Sequence, residues 1–231
     1  MKKAYPKKKS AFSLIELSIV LIIIGLLIAG VTGGASLIKS SELRSAMGEA
    51  RGYAVATSSF YSQFNAYPGD FDKATNNGDV VGDIDGKIEH SATAAEGHEA
   101  WFDLKAIGAI ENSLTRVALN AALAVKANMP ESKTSGAGWA FDSYTTSNPS
   151  NVVVLSGPVT TSTSSNTVVR GAVVSGGVLT PTDALSIDAK LDDGLANSGE
   201  VRGVGADCNT AASYDVDDDA LQCGVAFSVD I

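Results

Sequence analysis

The sequence predicts an α+β fold in which a long N-terminal helix packs on a small antiparallel β-sheet head. Three observations carry that expectation. Residues 12–31 form a run of 20 in which only Ser13, Glu16 and Ser18 are clearly polar, and a helix of that length covers a hydrocarbon core of about 30 Å. The helical pattern then continues. Leu43, Met47, Ala50, Ala54, Thr57, Tyr61 and Phe64 follow alternating steps of four and three, which is one stripe of an amphipathic helix. Short β-type runs come later, among them "NVVVLSG" and the alternating C-terminal "GVAFSVDI".

Composition bounds the rest. The chain has 231 residues, room for one ordinary domain plus an anchor. With 45% hydrophobic and 19% charged residues it can build a core. The net charge of -9 is uneven, because Lys2, Lys3, Lys7, Lys8 and Lys9 all precede the apolar run. Without residues 1–11 the balance is 12 basic against 26 acidic, or -14. An acidic body without a basic patch argues against nucleic acid as a partner of the head. Cys208 and Cys223, 15 apart, suit one disulfide in an oxidising compartment. No CxxC or Cys/His cluster points to zinc. His90 and His98 lie in or beside a polar loop, and neither GxSxG nor HExxH occurs, so no catalytic constellation is expected and the chain reads as a non-enzyme.

The first element sets the topology. Lysines before an apolar span stay cytoplasmic, which puts the body outside. An ordinary secretory signal peptide is the alternative, with small residues Gly33, Gly34 and Ala35 after the span; the body would then be a secreted hydrolase or binding domain. Glu16 separates the two readings. A carboxylate in lipid costs about 2.5–3.5 kcal/mol on insertion scales. It needs either a partner or a route to the interface, and a discarded segment has no use for it.

The stretch "SAFSLIELSIVLIIIGLLIAG", residues 10–30, resembles the N-terminus of type IV prepilins and type II secretion pseudopilins. The resemblance implies cleavage by a prepilin peptidase between Ala11 and Phe12, and N-methylation of Phe12. It makes Glu16 the fifth mature residue, which in that family neutralises a neighbouring subunit's N-terminal amine during fibre assembly. One position departs, since the family usually has Gly before the cut and here it is Ala11, also small. The implied organisation is a cytoplasmic leader (1–11), a transmembrane and assembly helix (12–35) and a pilin-like head (36–231) that includes the outer half of the helix. The implied partners are the peptidase, other pilin subunits and the inner-membrane assembly machinery. The implied location is single-pass in the inner membrane with a periplasmic head, then the pilus or pseudopilus. A variant of this reading makes the head an adhesin whose Ser/Thr-rich loops are its contact surface.

Beyond the membrane each element has a local reason. One helix over residues 13–64 spans 52 residues, about 78 Å at 1.5 Å per residue. Gly33-Gly34 should bend or locally melt it. "NAYPGDFD" at 65–72 ends it with a Pro-Gly turn. Thr93 and Glu96 have capping-box spacing and open a short helix through Trp101, Leu104 and Ile107 to Gly108, with Trp101 in the core. Residues 146–166 are rich in Ser, Thr and Asn and read as surface loops around the "NVVVLSG" strand, and "TVVRGAVVSGG" is a further β candidate. Thr180 as cap, Pro181 at the first helical position and Gly194 at the stop delimit another helix. Its "ID-x-K-x-DDG" element resembles a segment of one subgroup of prepilin-type proteins. Many pilins also clamp a C-terminal loop with a disulfide and use it at the fibre surface, which the Cys208–Cys223 loop would match. Closing a loop of about 15 residues contributes about 3 kcal/mol in the chain-entropy model.

Calcium is the one cofactor the sequence raises. Asp83, Asp85, Gly86 and Ile88 match part of an EF-hand-like loop, but Val81 and Ala92 stand at its first and twelfth positions. Two loops could supply oxygens: Asp79, Asp83 and Asp85 in one, and Asp215, Asp217, Asp218 and Asp219 in the other. The second is preferred because the disulfide would reduce the entropy lost on closing around an ion. The alternative is an acidic surface that keeps an exported head dispersed.

Overall fold

Helix α1 runs unbroken from Leu14 to Phe64, 51 residues. The computed structural model describes residues 13–72, 82–89, 96–111, 113–116, 124–144, 151–158, 177–205, 207–210 and 212–230. Ala11, Phe12, Asp79, His90, Thr93 and all but the last residue of the β candidate at 167–177 lie outside the described residues. The chain divides into two compact units, Met1–Ser41 and Glu42–Ile231.

In the first unit, α1 buries nothing of its apolar stretch. The large side chains from Leu14 to Val31 are all between 45% and 86% exposed, and the segment is long and apolar enough to cross a membrane. The expected melting at Gly33-Gly34 does not occur. Glycine lowers helix propensity by about 1 kcal/mol, but unlike proline it keeps its N–H donor, so the backbone ladder survives.

The second unit begins with the outer part of α1, which buries Leu43, Ala46, Met47, Ala50, Ala56, Thr57 and Phe60. The expected stripe holds through Ala50 and Thr57 and then shifts. Phe60 is fully buried, Tyr61 is half-buried and Phe64 is 37% exposed. Phe60 lies about 100° around the helix from Tyr61, so over the last turns the buried face has moved from the Leu43 side toward the side that carries Ala46, Ala56 and Phe60. Phe64, at the helix end, has its ring against those of Phe60 and Phe71. Asn65 closes the helix in the left-handed region (φ 53°), its N–H returning to the Tyr61 carbonyl at 2.7 Å.

Four antiparallel strands form the sheet: β1 (Gly138–Ser143), β2 (Asn151–Ser156), β3 (Val201–Val204) and, last in the chain, β6 (Gly224–Ser228), in the spatial order β1-β2-β6-β3. The strand expected at "NVVVLSG" is β2, and the alternating C-terminal strand is β6. Alternation gives the sheet two apolar faces. Trp139, Phe141, Val153, Leu155, Val201, Val225 and Phe227 join the outer part of α1 in the main core. Ala140, Val152, Val154, Val204 and Ala226 pack with Met129 on the other side. Tyr53 of α1 sits edge-on between Trp101 and Trp139, with ring centroids at 4.9 and 5.5 Å. Glu49 accepts from Trp139 Nε1 at 2.9 Å and from Ser132 Oγ at 2.7 Å.

Among the described residues the head has two further, short helices. Helix α2 (Glu96–Ala106) carries Trp101 into the core as expected and ends before Gly108, at φ 71°. Helix α3 (Pro181–Leu191) has the expected Thr180 cap, made a reciprocal capping box by Asp183. A two-residue hairpin, β4 (Asn209–Thr210) and β5 (Ser213–Tyr214), lies inside the Cys208–Cys223 loop.

Candidate functional site

The start of α1 is built as a cap. Ser13 precedes the first helical residue, and Glu16 is three residues on. The Ser13 N–H donates to Glu16 Oε2 at 2.8 Å, and the Ile15 N–H donates to Ser13 Oγ at 3.4 Å. Glu16 makes the carboxylate half of a capping box, while Ser13 Oγ takes the N–H of Ile15 rather than that of Glu16. The carboxylate is also favourably placed against the positive end of the helix dipole. Ser18 donates to the Ile15 carbonyl at 2.9 Å, and Thr32 donates to the carbonyls of Ile28 and Ala29. The polar side chains from Ser13 to Thr32 are therefore all bonded within their own helix, while the apolar ones face outward.

The two cysteines form the expected disulfide, Cys208–Cys223, and both are fully buried. Cys223 extends the connection through its backbone, since its N–H donates to the Leu179 carbonyl and its carbonyl accepts from Val178 and Leu179. Within this loop Asp217, Asp218 and Asp219 are exposed and Asp215 is half-buried. Among the described residues they do not converge as a group of three carboxylates.

The other acidic loop is held differently. Asp83 comes within 4.8 Å, oxygen to oxygen, of Asp70 and Glu96. Asp85 instead pairs with Lys87 at 2.9 Å. Asp70 is fully buried, and its two oxygens accept from the N–H groups of Asp85 and Gly86 at 3.1 and 2.9 Å. Glu96 accepts from Asp83 and Glu89 at 3.3 and 3.0 Å. Asn151 of β2 adds two bonds, from the Ile88 N–H and to the Gly86 carbonyl. Residues 82–89 thus hang from three side chains of three separate segments. At their tip Ile84 is 54% exposed with φ 58°, a backbone region that β-branched residues rarely adopt.

Burial pushes the Glu96 carboxyl up to about 7, and the charges of Asp70 and Asp83 add to the rise. Burial also raises Asp70. Sequence reading missed both residues: Asp70 looked like part of a turn and Glu96 like a helix start. His98, expected in or beside a polar loop, is buried on α2 against Phe102.

The "ID-x-K-x-DDG" element is a block of acceptors. Buried Asp188 takes the Tyr214 hydroxyl at 2.8 Å and the Gly194 N–H at 3.0 Å. Asp192 accepts from the Val201 N–H at 3.2 Å. Asp193 accepts from Leu195 N–H and Ser198 Oγ, both at 2.8 Å. These bonds tie α3 to β3 and to the hairpin. Burial raises Asp188, with the Tyr214 hydrogen bond opposing the rise.

The family model of the prokaryotic N-terminal methylation motif matches residues 6–32. No curated protein matches the chain, and no solved structure does. The matched segment contains Ala11, Phe12 and the Ser13–Glu16 cap. It leads directly into the exposed apolar helix. The chain thus carries the N-terminal cleavage and methylation motif of prepilin-type proteins at the head of an α+β, pilin-like fold.

Proposed function

We propose that this chain is a structural subunit of a type IV pilus or type II secretion pseudopilus, polymerising through its N-terminal helix. The observation that carries the reading is a helix whose apolar stretch is exposed on every side and interrupted by one carboxylate at its head. Such a surface needs lipid, other helices, or each in turn. Processing by a prepilin peptidase before Phe12 retains this helix, and methylation of Phe12 follows. The head then stands on the outer side of the inner membrane until assembly moves the subunit into a fibre. The chain is a substrate of processing enzymes and acts by packing rather than by catalysis.

Intact-mass analysis of the membrane-extracted protein tests this. A mature chain beginning with N-methyl-Phe12 is expected; a start near Ser36 would mean an ordinary signal peptide and a secreted head.

Calcium is proposed on donor chemistry alone. Asp70, Asp83 and Glu96 fit better than Asp215, Asp217, Asp218 and Asp219, because their oxygens already lie within 4.8 Å of one another and calcium takes six to eight oxygen ligands. The protein should melt higher with millimolar calcium than with chelator, and Asp83→Asn should remove the difference. Equal melting in the two conditions would leave the acidic loops as solvated and structural surface.

A further inference from the structure

We propose that Ile84, at the tip of the 82–89 loop, docks into the pocket between helix α1 and strands β3 and β6 of a second copy of this chain, joining heads in series. The inference rests on the fibre-subunit reading above and names one contact between the heads of that assembly.

The pocket has an apolar lining. Ala50 and Ala54 of α1 form one wall, and Val201 of β3 and Phe227 of β6 another, around a volume of about 160 Å³. An apolar cavity of about 150 Å³ holds a molecule the size of benzene, so one aliphatic side chain fits. Arg51 and Glu200 also line it, and both are exposed. Among the described residues neither makes an ion pair.

The loop offers the matching shape. Ile84 is 54% exposed at φ 58°, between exposed Asp83 and Asp85, and Lys87 stands beside Asp85 at 2.9 Å. Left-handed backbone at a β-branched residue persists only where the surroundings hold it there, and such positions gather at ligand clamps. Here Asp70, Glu96 and Asn151 bond the loop on both sides of its tip. The tip is held, not loose.

Charge and position choose the partner. With Ile84 seated, Arg51 can meet Asp83 or Asp85, and Glu200 can meet Lys87. The sheet order β1-β2-β6-β3 puts β1 and β3 at the two edges. The loop is anchored on Asn151 of β2 and on α2, which packs against β1, whereas β3 and β6 line the pocket. A knob toward one edge and its socket toward the other make a heterologous contact, which adds copies in series. Val216 and Leu221 are also exposed, but their loop is tied by Tyr214 to Asp188 of α3, and α3 packs against β3 on the pocket's own side. One such contact is small, but heads carried on membrane helices meet at high effective concentration.

Disulfide trapping in the full-length protein tests the docking. The chain's two cysteines are bonded to each other, so introduced thiols have no competitor. Ser228 lines the pocket, and cysteine is nearly its isostere. Ile84→Cys combined with Ser228→Cys should give a ladder of trimers and longer species under mild oxidation, in membranes and in sheared fibres. Each single variant should stop at dimers. Adding Arg51→Asp should weaken the ladder by at least about fivefold, the effect of one rim ion pair, and Asp85→Arg should then restore it. Fibres without a ladder would overturn the docking and leave the subunit reading intact. A ladder in membranes from a chain that forms no fibres would do the reverse. A ladder unmoved by Arg51→Asp, or not restored by Asp85→Arg, would mean that the tip meets another surface, and would also overturn the docking.

Discussion

The two parts of helix α1 share a backbone geometry and face opposite demands. From Leu14 to Val31 the apolar side chains point all round the helix and all are exposed. From Leu43 to Phe60 one side of the helix is buried, with Leu43, Ala46, Met47, Ala50, Ala56 and Phe60 in the core, while Val55 on the other side is exposed. Each part also carries a telling carboxylate. Glu16 bonds back to its own helix end, whereas Glu49 reaches Ser132 and Trp139 of the head. The difference teaches what periodicity means. A helix apolar on all sides is written for a surrounding that is apolar on all sides, and a striped helix for a core on one side.

The sharpest way to break this comparison is to truncate one large side chain in each part. Phe60→Ala empties a fully buried site and should cost about 3–5 kcal/mol. Phe64→Ala, four residues on and partly exposed, should cost well under half as much, and Ile22→Ala should leave head stability unchanged. Denaturant unfolding of the full chain in detergent, followed by the emission of buried Trp101 and Trp139, measures all three. Similar losses for Phe60 and Phe64 would mean that the helix face is rotated from the position described.

The disulfide gives the next largest effect and acts on the head alone. Releasing a loop of about 15 residues should lower stability by about 3 kcal/mol. Reduction, or Cys208→Ser with Cys223→Ser, should lower the melting temperature of the head while the helical signal of the membrane segment persists. If both thiols prove alkylatable in the native exported protein, the bridge is absent and the prediction fails.

These outcomes also bear on what could be read from sequence. The apolar run, the caps of α3, Trp101 in the core and the disulfide were legible because each depends on spacing within a short stretch. The helix stripe was legible through Thr57; Phe60 was missed because which side of the last turns is covered depends on tertiary packing, which periodicity does not carry. In the acidic loop Asp83 was legible as a candidate oxygen donor, but its neighbours Asp70 and Glu96 were not. Asp83 meets Asp70 and Glu96, each 13 residues away in opposite directions, a separation that no local spacing rule covers. The "DDG" element was recognised by resemblance. Its physical role, accepting bonds from β3 and from Tyr214, depends on segments that follow it in the chain.

A smaller effect sharpens the contrast between the parts of α1. Gly52 lies in the outer part, exposed, with nothing within 4 Å of where a Cβ would stand. Gly52→Ala should therefore stabilise the head by up to about 1 kcal/mol. Gly33 is equally open, but Gly33→Ala should leave head melting unmoved, because it lies in the other unit. A destabilised Gly52→Ala protein would show that this side of the helix is covered in the folded protein.

The smallest effect comes from Tyr53, which belongs to the outer part and has no counterpart in the inner one. Burial, with the neighbouring Glu49 charge adding to it, pushes the Tyr53 phenol from 10.0 up to about 12. A group whose pKa is raised on folding contributes stability that is intact below its unfolded value and is lost as pH rises through its folded value. The head should accordingly lose stability between about pH 10 and 12, and Tyr53→Phe should remove part of that loss. Tyr144, beside the opposite face of the sheet, is also raised to about 12, chiefly by burial. Lysines titrate over the same range in every variant, so the informative quantity is the difference between alkaline unfolding curves of wild type, Tyr53→Phe and Tyr144→Phe. Each single variant should be less steep than wild type, and the double variant less steep than either. A Tyr53→Phe curve that superimposes on wild type would mean that the phenol reaches solvent beside Glu49, and that this stretch of α1 is less enclosed than its packing against Trp101 and Trp139 requires.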